Sequence, residues 1–197
     1  MNADRLRISR LHRLASLVAT VVAFGCESRH RPPRSLADPP HPTAATHPAA
    51  PRAPAKIAEF QGEYRFLSNF WLSEVWFEGA RYPSVEHAYQ AAKSLDPAER
   101  RRVAALATPA DAKRAGRALS LRPDWERAKF AVMEACVRDK FTRHAGLRAK
   151  LLATGDAVLE EGNTWGDRVW GVCNGAGENR LGKILMQVRA ELRAAGR

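Results

Sequence analysis

A run of prolines divides this chain before any other feature does. Eight of the twelve prolines lie between Pro32 and Pro54, within a segment of Pro, Ala, His and Arg that has almost no large apolar residues. Such a segment cannot bury enough apolar surface to offset the entropy lost on folding. We therefore predict a disordered linker over residues 27–56 and one folded domain over residues 57–197. The 141 residues of that domain are enough to bury a hydrophobic core.

The first 26 residues have the pattern of a targeting sequence. A basic stretch, RLRISRLHR, is followed by a 12-residue apolar run, LASLVATVVAFG, and then by Cys26. This order is typical of a bacterial lipoprotein signal, in which the cysteine becomes a lipidated N-terminus, and the run is too short to span a bilayer as a helix. The alternative is a mis-assigned start codon, with this part of the sequence never translated. The first interpretation predicts a lipoprotein anchored to a membrane only through Cys26, and the second predicts a cytoplasmic protein.

Charge and metal-ligand residues narrow the classes of protein that remain. Formal net charge is +11, of which residues 1–56 supply +6 through nine basic and three acidic side chains. Residues 57–197 carry 23 basic and 18 acidic side chains, a balance that suits a phosphate-bearing ligand but is weak for a DNA-binding domain. The three cysteines are far apart and outside any CxxC pattern, which excludes a disulfide framework or a zinc site. His87 has no second ligand at helical spacing, so we expect it to pack or hydrogen-bond rather than bind metal.

Helix signals dominate the folded part. Ser84, Asp96 and Thr108 are each placed to cap a helix, and a proline follows both Asp96 and Thr108 at the first helical position. Two longer helices repeat apolar residues at helical spacing, as expected of faces packed on a core. These positions are Phe130, Met133, Val137 and Phe141 in one helix, and Leu181, Ile184, Leu185, Val188 and Leu192 in the other.

Strand signals are few. The sequence VWFEGARY has a turn-forming Glu78-Gly79 pair between two short β-prone runs, which predicts a hairpin, and AVLEE at residues 157–161 predicts one further strand. These strands do not alternate with helices as βαβ units would. We therefore predict a single domain of the α+β class that is mainly α-helical, with a small β-sheet or hairpin.

The sequence PSVEHAYQAAK, residues 83–93, is the first candidate for chemistry. On a helix, four of its polar side chains share one face: Glu86, Tyr89, Gln90 and Lys93. A partly buried carboxylate there could act as an acid, a base or an electrostatic stabiliser, and a desolvated lysine could attack a sugar carbon. A solvated salt-bridge ladder is the alternative. The aromatic-rich sequence YRFLSNFW just upstream, with polar Asn69 inside it, favours a site.

A glycine-rich loop, EEGNTWGDRVWGVCNGAGENRLG at residues 160–182, is the second candidate. Its backbone amides could meet a phosphate at the start of the following helix, and Trp165 or Trp170 could stack on a base. An ordered structural loop with buried tryptophans is the alternative. The spacing of the glycines does not fit the dinucleotide-binding fingerprint, so we exclude a Rossmann fold.

Six sequence blocks, taken together and in order, are similar to those of a known family. They are YRFLSNF, YPSVEHAYQAAK, AKRAGRAL, W-x4-F-x2-M-x6-KF, LLATGD and NTWGDRVWGVCNGAGENRLGKILMQVR. Across roughly residues 60–192 the chain resembles the NADAR (YbiA-like) family. The resemblance implies a compact, mainly helical fold and an N-glycosidase that cleaves a bond between ribose and nitrogen. Characterised branches of the family act on phosphorylated ribosylamino intermediates of riboflavin synthesis or on ADP-ribosylated guanine in nucleic acid.

The resemblance also implies a set of site residues. The catalytic residues would be Glu86, Lys93 and Asp167, and the substrate-binding residues Arg65, Phe66, Trp165, Trp170 and Asn179. Asn69 of the aromatic-rich segment and Tyr89 of the polar helical face are predicted to bind substrate as well. Cleavage of a ribose C1′–N bond builds positive charge on the sugar, so a carboxylate near C1′ would stabilise the transition state and activate water. Glu86 is the first choice for that carboxylate and Asp167 the second. Lys93 would either attack C1′ of the opened sugar to form an imine or bind phosphate.

The implied ligand is a small nucleotide or ADP-ribose, free or carried by ADP-ribosylated nucleic acid. Neither a metal ion nor another cofactor is needed by these routes, and no obligate protein partner is evident. Two other functions are compatible with the sequence: a non-catalytic ADP-ribose or nucleotide-binding module, and a nucleic-acid binder acting through the basic residues 1–56. The combination of Glu86, Lys93 and Asp167 favours the enzyme, because a binding module does not need all three.

Overall fold

The described part of the chain opens with a short parallel strand pair. The computed structural model describes residues 54–196, so the predictions for the first 26 residues, including Cys26, and most of the predicted linker lie outside it. Strand β1 (Lys56–Ile57) pairs in parallel with β4 (Val158–Leu159). The predicted strand at 157–161 is therefore present, although only two of its residues form the ladder. The pairing also reaches Ala55, whose carbonyl accepts from the Val158 N–H at 3.0 Å.

The predicted hairpin is confirmed. Strand β2 (Val75–Phe77) pairs antiparallel with β3 (Ala80–Tyr82). Glu78 and Gly79 form the turn with φ of 46° and 77°, the left-handed values that a two-residue hairpin turn of this hand requires. A 3₁₀ helix (Gly62–Leu67) precedes the hairpin, and the sequence pattern did not predict it.

Three short helices follow, and each begins at the predicted cap. They are α1 (Val85–Ala91), α2 (Pro97–Ala104) and α3 (Pro109–Ala115). The Ser84 hydroxyl accepts from the His87 N–H at 3.3 Å, the Asp96 carboxylate from that of Ala98 at 2.8 Å, and the Thr108 hydroxyl from that of Asp111 at 3.1 Å. These side chains satisfy backbone donors that have no partner within the helix.

The longer helices build the core. Helix α4 (Trp125–Arg143) packs against α1, β2 and α6 (Arg180–Ala195), and α5 (Ala145–Ala153) packs against α4 and α6. The predicted apolar stripes are buried in this core, apart from Phe130, which is half-buried, and Leu192, which packs at the edge of the core. Phe130 instead contacts the ring of Trp170, with centroids 5.5 Å apart.

A third strand pair fixes the glycine-rich loop. Strand β5 (Gly162–Asn163) pairs in parallel with β6 (Val172–Cys173), and α6 follows. Over the described residues, the strands thus form three separate two-stranded sheets beside a predominantly helical core, and the predicted α+β class is confirmed. Within residues 54–196, no helix combines the length and the apolar character needed to span a membrane.

Candidate functional site

The polar face of α1 lies at a cavity of about 640 Å³. Five parts of the chain line this cavity: residues 60–70, α1 with Lys93 just past its C-cap, α3 with its C-terminal extension, α4 through Met133, and the loop 161–170. Eight of the ten predicted site residues are among the lining side chains: Arg65, Asn69, Glu86, Tyr89, Lys93, Trp165, Asp167 and Trp170. The polar face of α1 is therefore part of a concave surface, as expected of a site and not of a solvated salt-bridge ladder.

Glu86 is a buried carboxylate held by two amides. The residue is only 3% exposed. Its Oε1 accepts a hydrogen bond from Gln90 Nε2 at 2.8 Å, and its Oε2 accepts one from Asn69 Nδ2 at 2.5 Å. Burial raises the pKa of Glu86, whereas the hydrogen bond from Gln90 and the positive charges of Lys113 and Lys93 act to lower it. The result is a desolvated, oriented carboxylate close to positive charge.

Asn69 is itself held in place from α4. The Glu86 N–H donates to the Asn69 carbonyl at 3.0 Å, and Lys140 donates from Nζ to the carbonyls of Phe66 at 2.7 Å and Ser68 at 2.9 Å. Lys140 is fully buried, and that burial lowers its pKa to about 7. Sequence reasoning missed Lys140, because a lysine on a helix is usually at the surface.

Lys93 begins a basic wall of the cavity. It lies just past the C-cap of α1, half-buried, with Nζ 3.4 Å from the Gly116 carbonyl and 6.0 Å from the ring centroid of Trp125. Burial lowers the pKa of Lys93, and the nearby charge of Glu86 opposes that effect. The amine is therefore less strongly basic than an exposed lysine.

The rest of the basic wall comes from α3 and the residues after it. Lys113, Arg114 and Arg117 line the cavity, with the Lys113 amine 5.6 Å from the ring centroid of Phe70. Arg114 also pairs with Asp111 on the same helix. The sequence block AKRAGRAL belonged to the resemblance, but we did not predict these side chains as site residues, because basic residues on a short helix are most often solvated.

Asp167 is positioned by a tight turn. Its Oδ1 accepts from the backbone N–H groups of Val169 at 3.0 Å and Trp170 at 2.9 Å. Asn163 closes the turn from the other side, accepting from the Asp167 N–H at 3.1 Å and donating to the Asp167 carbonyl at 2.7 Å. Asp167 therefore stabilises the loop as well as lining the cavity.

Glu161 is a lining residue that sequence reasoning missed. Burial raises its pKa to about 8, assisted by the negative charges of Asp167 and Glu86 and opposed by Lys113. It stood in the sequence EEGNTWG beside Glu160, with nothing to distinguish the two carboxylates. Only the direction of the chain after β4 separates them: Glu161 lines the cavity, whereas Glu160 pairs with Lys56 at 2.9 Å.

Aromatic rings form the remaining wall and the rim. Tyr89 contacts Trp170 edge-to-face at 5.4 Å and Trp125 at 5.1 Å between ring centroids. Burial raises the pKa of Tyr89, so its phenol stays protonated at neutral pH. Trp165 is 60% exposed, and within residues 54–196 its ring packs against no other aromatic ring. An exposed indole beside a cavity offers a stacking surface.

Two residues that we predicted to bind substrate, Phe66 and Asn179, do not line the cavity. Phe66 is 5% exposed and packs edge-to-face on Phe141 in the core, since the 3₁₀ helix turns its side chain away from the cavity. Asn179 does not line the cavity either. It precedes α6 with φ of 51°, and its side chain accepts from the Glu161 N–H at 3.1 Å and donates to the Leu159 carbonyl at 2.8 Å. Both residues support the site without facing it.

His87 has the packing role that the sequence predicted. It is fully buried and does not line the cavity, with its ring nitrogens 2.8 Å from the Ser84 hydroxyl and 3.2 Å from the Leu106 carbonyl. Among residues 54–196, no three His, Cys, Asp or Glu side chains are arranged to hold a metal ion.

Residues 54–196 thus form an α+β domain with a helical core, three small strand pairs and a cavity at the polar face of α1. The NADAR domain family model matches residues 58–193, and the chain belongs to this family. Its similarity to relatives named N-glycosidase extends over most of their length. An N-glycosidase YbiA of Shigella boydii is 43% identical over 133 residues, which cover 66% of this chain and 82% of that protein.

Other relatives have related names. An N-glycosidase of Nostoc punctiforme is 42% identical over 136 residues, covering 66% of this chain and 86% of the relative. A riboflavin biosynthesis protein of Vibrio vulnificus is 38% identical over 142 residues, covering 71% of this chain but 38% of that longer protein. The solved NMR structure of the Escherichia coli protein YbiA is similar in fold, with a TM-score of 0.65, 36% identity and coverage of 74% of this chain and 88% of that one.

Proposed function

We propose that this chain is an N-glycosidase that hydrolyses a ribose C1′–N bond in a phosphate-bearing substrate, either an ADP-ribosyl or a phosphoribosyl-amino compound. The observation that carries the proposal is the desolvated carboxylate of Glu86 beside a cavity with a basic wall. The names of its relatives, N-glycosidase and riboflavin biosynthesis protein, support the same class of reaction.

Glu86 suits the charge that develops in this reaction. As the C1′–N bond breaks, the sugar takes on oxocarbenium character, and a carboxylate out of water stabilises that charge more strongly than a solvated one. The amides of Gln90 and Asn69 fix both oxygens before the substrate arrives. A water placed between Glu86 and C1′ would lose its proton to the carboxylate as it attacks.

The other walls suit the two ends of the substrate. Lys113, Arg114 and Arg117 provide positive charge for a phosphate or diphosphate. Trp165 at the rim and Trp170 in the wall provide flat surfaces for a base or pyrimidine ring. A cavity of about 640 Å³ is large enough for a nucleotide-sized ligand.

Lys93 has two possible roles in this reaction. As a nucleophile it would attack C1′ of the ring-opened sugar and expel the substrate nitrogen as an amine, leaving an imine on Lys93 that water hydrolyses. This route needs a neutral amine and is helped by the partial burial of Lys93. As a cation it would bind phosphate. Borohydride added during turnover distinguishes the roles, because it reduces an imine to a stable adduct on Lys93 and leaves a phosphate ligand unmodified.

The test is a hydrolysis assay on the full chain with a chelator present. Substrates are ADP-ribosylated guanine in DNA and a ribosylamino-pyrimidine phosphate, and the variants are Glu86→Gln and, as a control, Glu126→Gln. Glu126 is 78% exposed and does not line the cavity. We expect release of ADP-ribose or ribose phosphate from one substrate by wild type and Glu126→Gln, with a loss of about 100-fold or more in kcat for Glu86→Gln.

The outcome also identifies the substrate branch and the class of protein. Turnover of one substrate assigns the leaving group, and turnover in the presence of chelator supports a reaction without a metal ion. If folded wild-type protein binds ADP-ribose but releases nothing from either substrate, the chain is a nucleotide-binding module and the proposed activity is wrong.

A further inference from the structure

Two carboxyl groups that line one cavity, those of Glu86 and Glu161, differ in their hydrogen bonding. Glu86 accepts hydrogen bonds from two amides, and Lys93 and Lys113 lie near it. Burial raises the pKa of Glu86, and those donors and positive charges act in the opposite direction, favouring its ionised form. Glu161 lines the same cavity, yet within residues 54–196 its carboxyl group takes part in no hydrogen bond and no ion pair. It is therefore an unengaged acid next to an engaged carboxylate.

The backbone of Glu161 is fixed from several directions. Its N–H donates to Asn179 Oδ1 at 3.1 Å, and its carbonyl accepts from the Val172 N–H at 2.9 Å. Gly171 packs directly on that carbonyl, so closely that a Cβ there would lie 2.2 Å from the oxygen. The carboxyl group is thus held at the cavity by a rigid main chain, although nothing in the described residues uses it for stability.

Glu160, the residue before Glu161, has a carboxylate that stabilises the fold through an ion pair. It is adjacent in sequence, does not line the cavity, and pairs with Lys56 at 2.9 Å across the β1–β4 ladder. The contrast between two neighbouring glutamates argues against a purely structural role for Glu161.

We propose that Glu161 is a further catalytic residue, the general acid that protonates the leaving nitrogen as the C1′–N bond breaks. The inference rests on the proposed N-glycosidase function. In the step, the electron pair of the C1′–N bond goes to nitrogen, and the Glu161 carboxyl proton is transferred to it. Water adds to C1′ and gives a proton to Glu86, which releases it to solvent, and solvent returns a proton to Glu161, so both carboxyl groups regain their starting protonation states.

Burial, assisted by nearby negative charge, keeps the Glu161 carboxyl group protonated at neutral pH. Burial is the main cause of its pKa of about 8, with Asp167 of the loop and Glu86 of α1 raising the pKa and Lys113 of α3 lowering it. A general acid acts while it still holds its proton, so its contribution is present below pH 8 and is lost as the pH rises through that value. Separate environments for two carboxyl groups are how such sites assign an acid and a base.

The experiment compares wild type, Glu161→Gln and the matched control Glu160→Gln across pH, on whichever N-ribosylamine substrate the wild type hydrolyses. We expect Glu161→Gln to lower kcat about 100-fold or more at pH 7 with little change in KM. We also expect it to remove the loss of wild-type activity near pH 8. Glu160→Gln should keep both the rate and the pH profile.

A second substrate separates acid catalysis from a structural effect. Nicotinamide mononucleotide and NAD⁺ carry a pyridinium leaving group, which departs as a neutral molecule and needs no proton. On these compounds Glu161→Gln should lose less than about tenfold in kcat. Equal losses on both kinds of leaving group, or a kcat above about a third of wild type on the ribosylamine, would overturn the inference while leaving the proposed function intact. A wild type that hydrolyses no N-riboside would overturn both.

Discussion

Glu86 is oriented by two side chains, one close to it in the sequence and one from an earlier segment. Gln90 lies one turn away on α1, whereas Asn69 comes from the segment before the hairpin. The helical partner could be predicted from spacing of four residues, and it was part of the polar face identified in the sequence. The Asn69 contact could not, because it depends on how the 3₁₀ segment packs on α4.

Trp165 gives a prediction at the level of one side chain. Trp165→Ala should raise KM about tenfold with little change in kcat, because base stacking on an aromatic ring contributes on the order of 1–3 kcal/mol to binding. The ring is 60% exposed, so its removal should leave the fold intact. Steady-state kinetics of the full chain measure the effect.

Trp76 is the matched control for this change. It is 45% exposed on β2 and does not line the cavity, so Trp76→Ala should leave KM unchanged. An unaltered KM in Trp165→Ala would show that the exposed indole does not contact the substrate.

Helices α1 and α3 approach each other through a glycine. A Cβ on Gly116, the C-cap of α3, would lie 1.8 Å from Gln90 Oε1. The absence of a side chain there lets α3 bring Lys113 to the cavity and leaves room for the amide that holds Glu86. This close approach depends on how the two helices pack together, so it cannot be predicted from the sequence of either helix.

Gly116→Ala tests the contact between these elements. The added methyl group should displace the Gln90 amide and break its hydrogen bond to Glu86, lowering kcat by about tenfold. Because that hydrogen bond lowers the pKa of Glu86, its loss should move the acid limb of the pH–rate profile to higher pH. Gly146→Ala is the control, since a Cβ at Gly146 meets nothing within 4 Å. A Gly116→Ala profile that matches wild type would mean that the glutamine does not need this space.

Across the whole folded part, one buried amine connects the core to the site. Lys140 lies on α4, the helix that packs on α1, β2 and α6, and its Nζ contacts the carbonyls of Phe66 and Ser68. Burying an amine costs free energy in its charged form, and the two carbonyls offset part of that cost. The stability of the molecule therefore depends on the protonation of a residue that sits behind the cavity.

This dependence predicts how stability changes with pH. Burial lowers the pKa of Lys140 to about 7, so between that pH and the pKa of an unfolded lysine the unfolded state binds a proton that the folded state lacks. In that range the free energy of unfolding of wild type, relative to Lys140→Met, should rise with pH by about 1.4 kcal/mol per unit. Below pH 7 both states are protonated and the relative value should level off.

Urea unfolding of the full chain between pH 6 and pH 10 measures the difference. Lys183→Met, a change at an exposed position on α6, is the control and should give a difference that varies little with pH. A flat difference for Lys140→Met as well would mean that the buried amine keeps its proton throughout.

Local structure in this protein follows from residues that are close together in the chain. Caps at Ser84, Asp96 and Thr108 begin three helices because each side chain bonds to a backbone donor within three residues. The Glu78-Gly79 turn and the apolar stripes of α4 and α6 are likewise set by residues close together in the chain. Glu86 and Lys93 were predicted from the spacing of one helical face and Trp165 from the glycine-rich loop, and the family resemblance added Asp167.

Which neighbours of those motifs reach the cavity depends on tertiary packing. Phe66 lies in the core and Asn179 bonds to the backbone, whereas Glu161 and Lys113, which no sequence pattern distinguished, line the cavity. The reason is geometric. A cavity wall is made where separate elements meet, so the direction of each side chain there depends on contacts between residues far apart in the sequence.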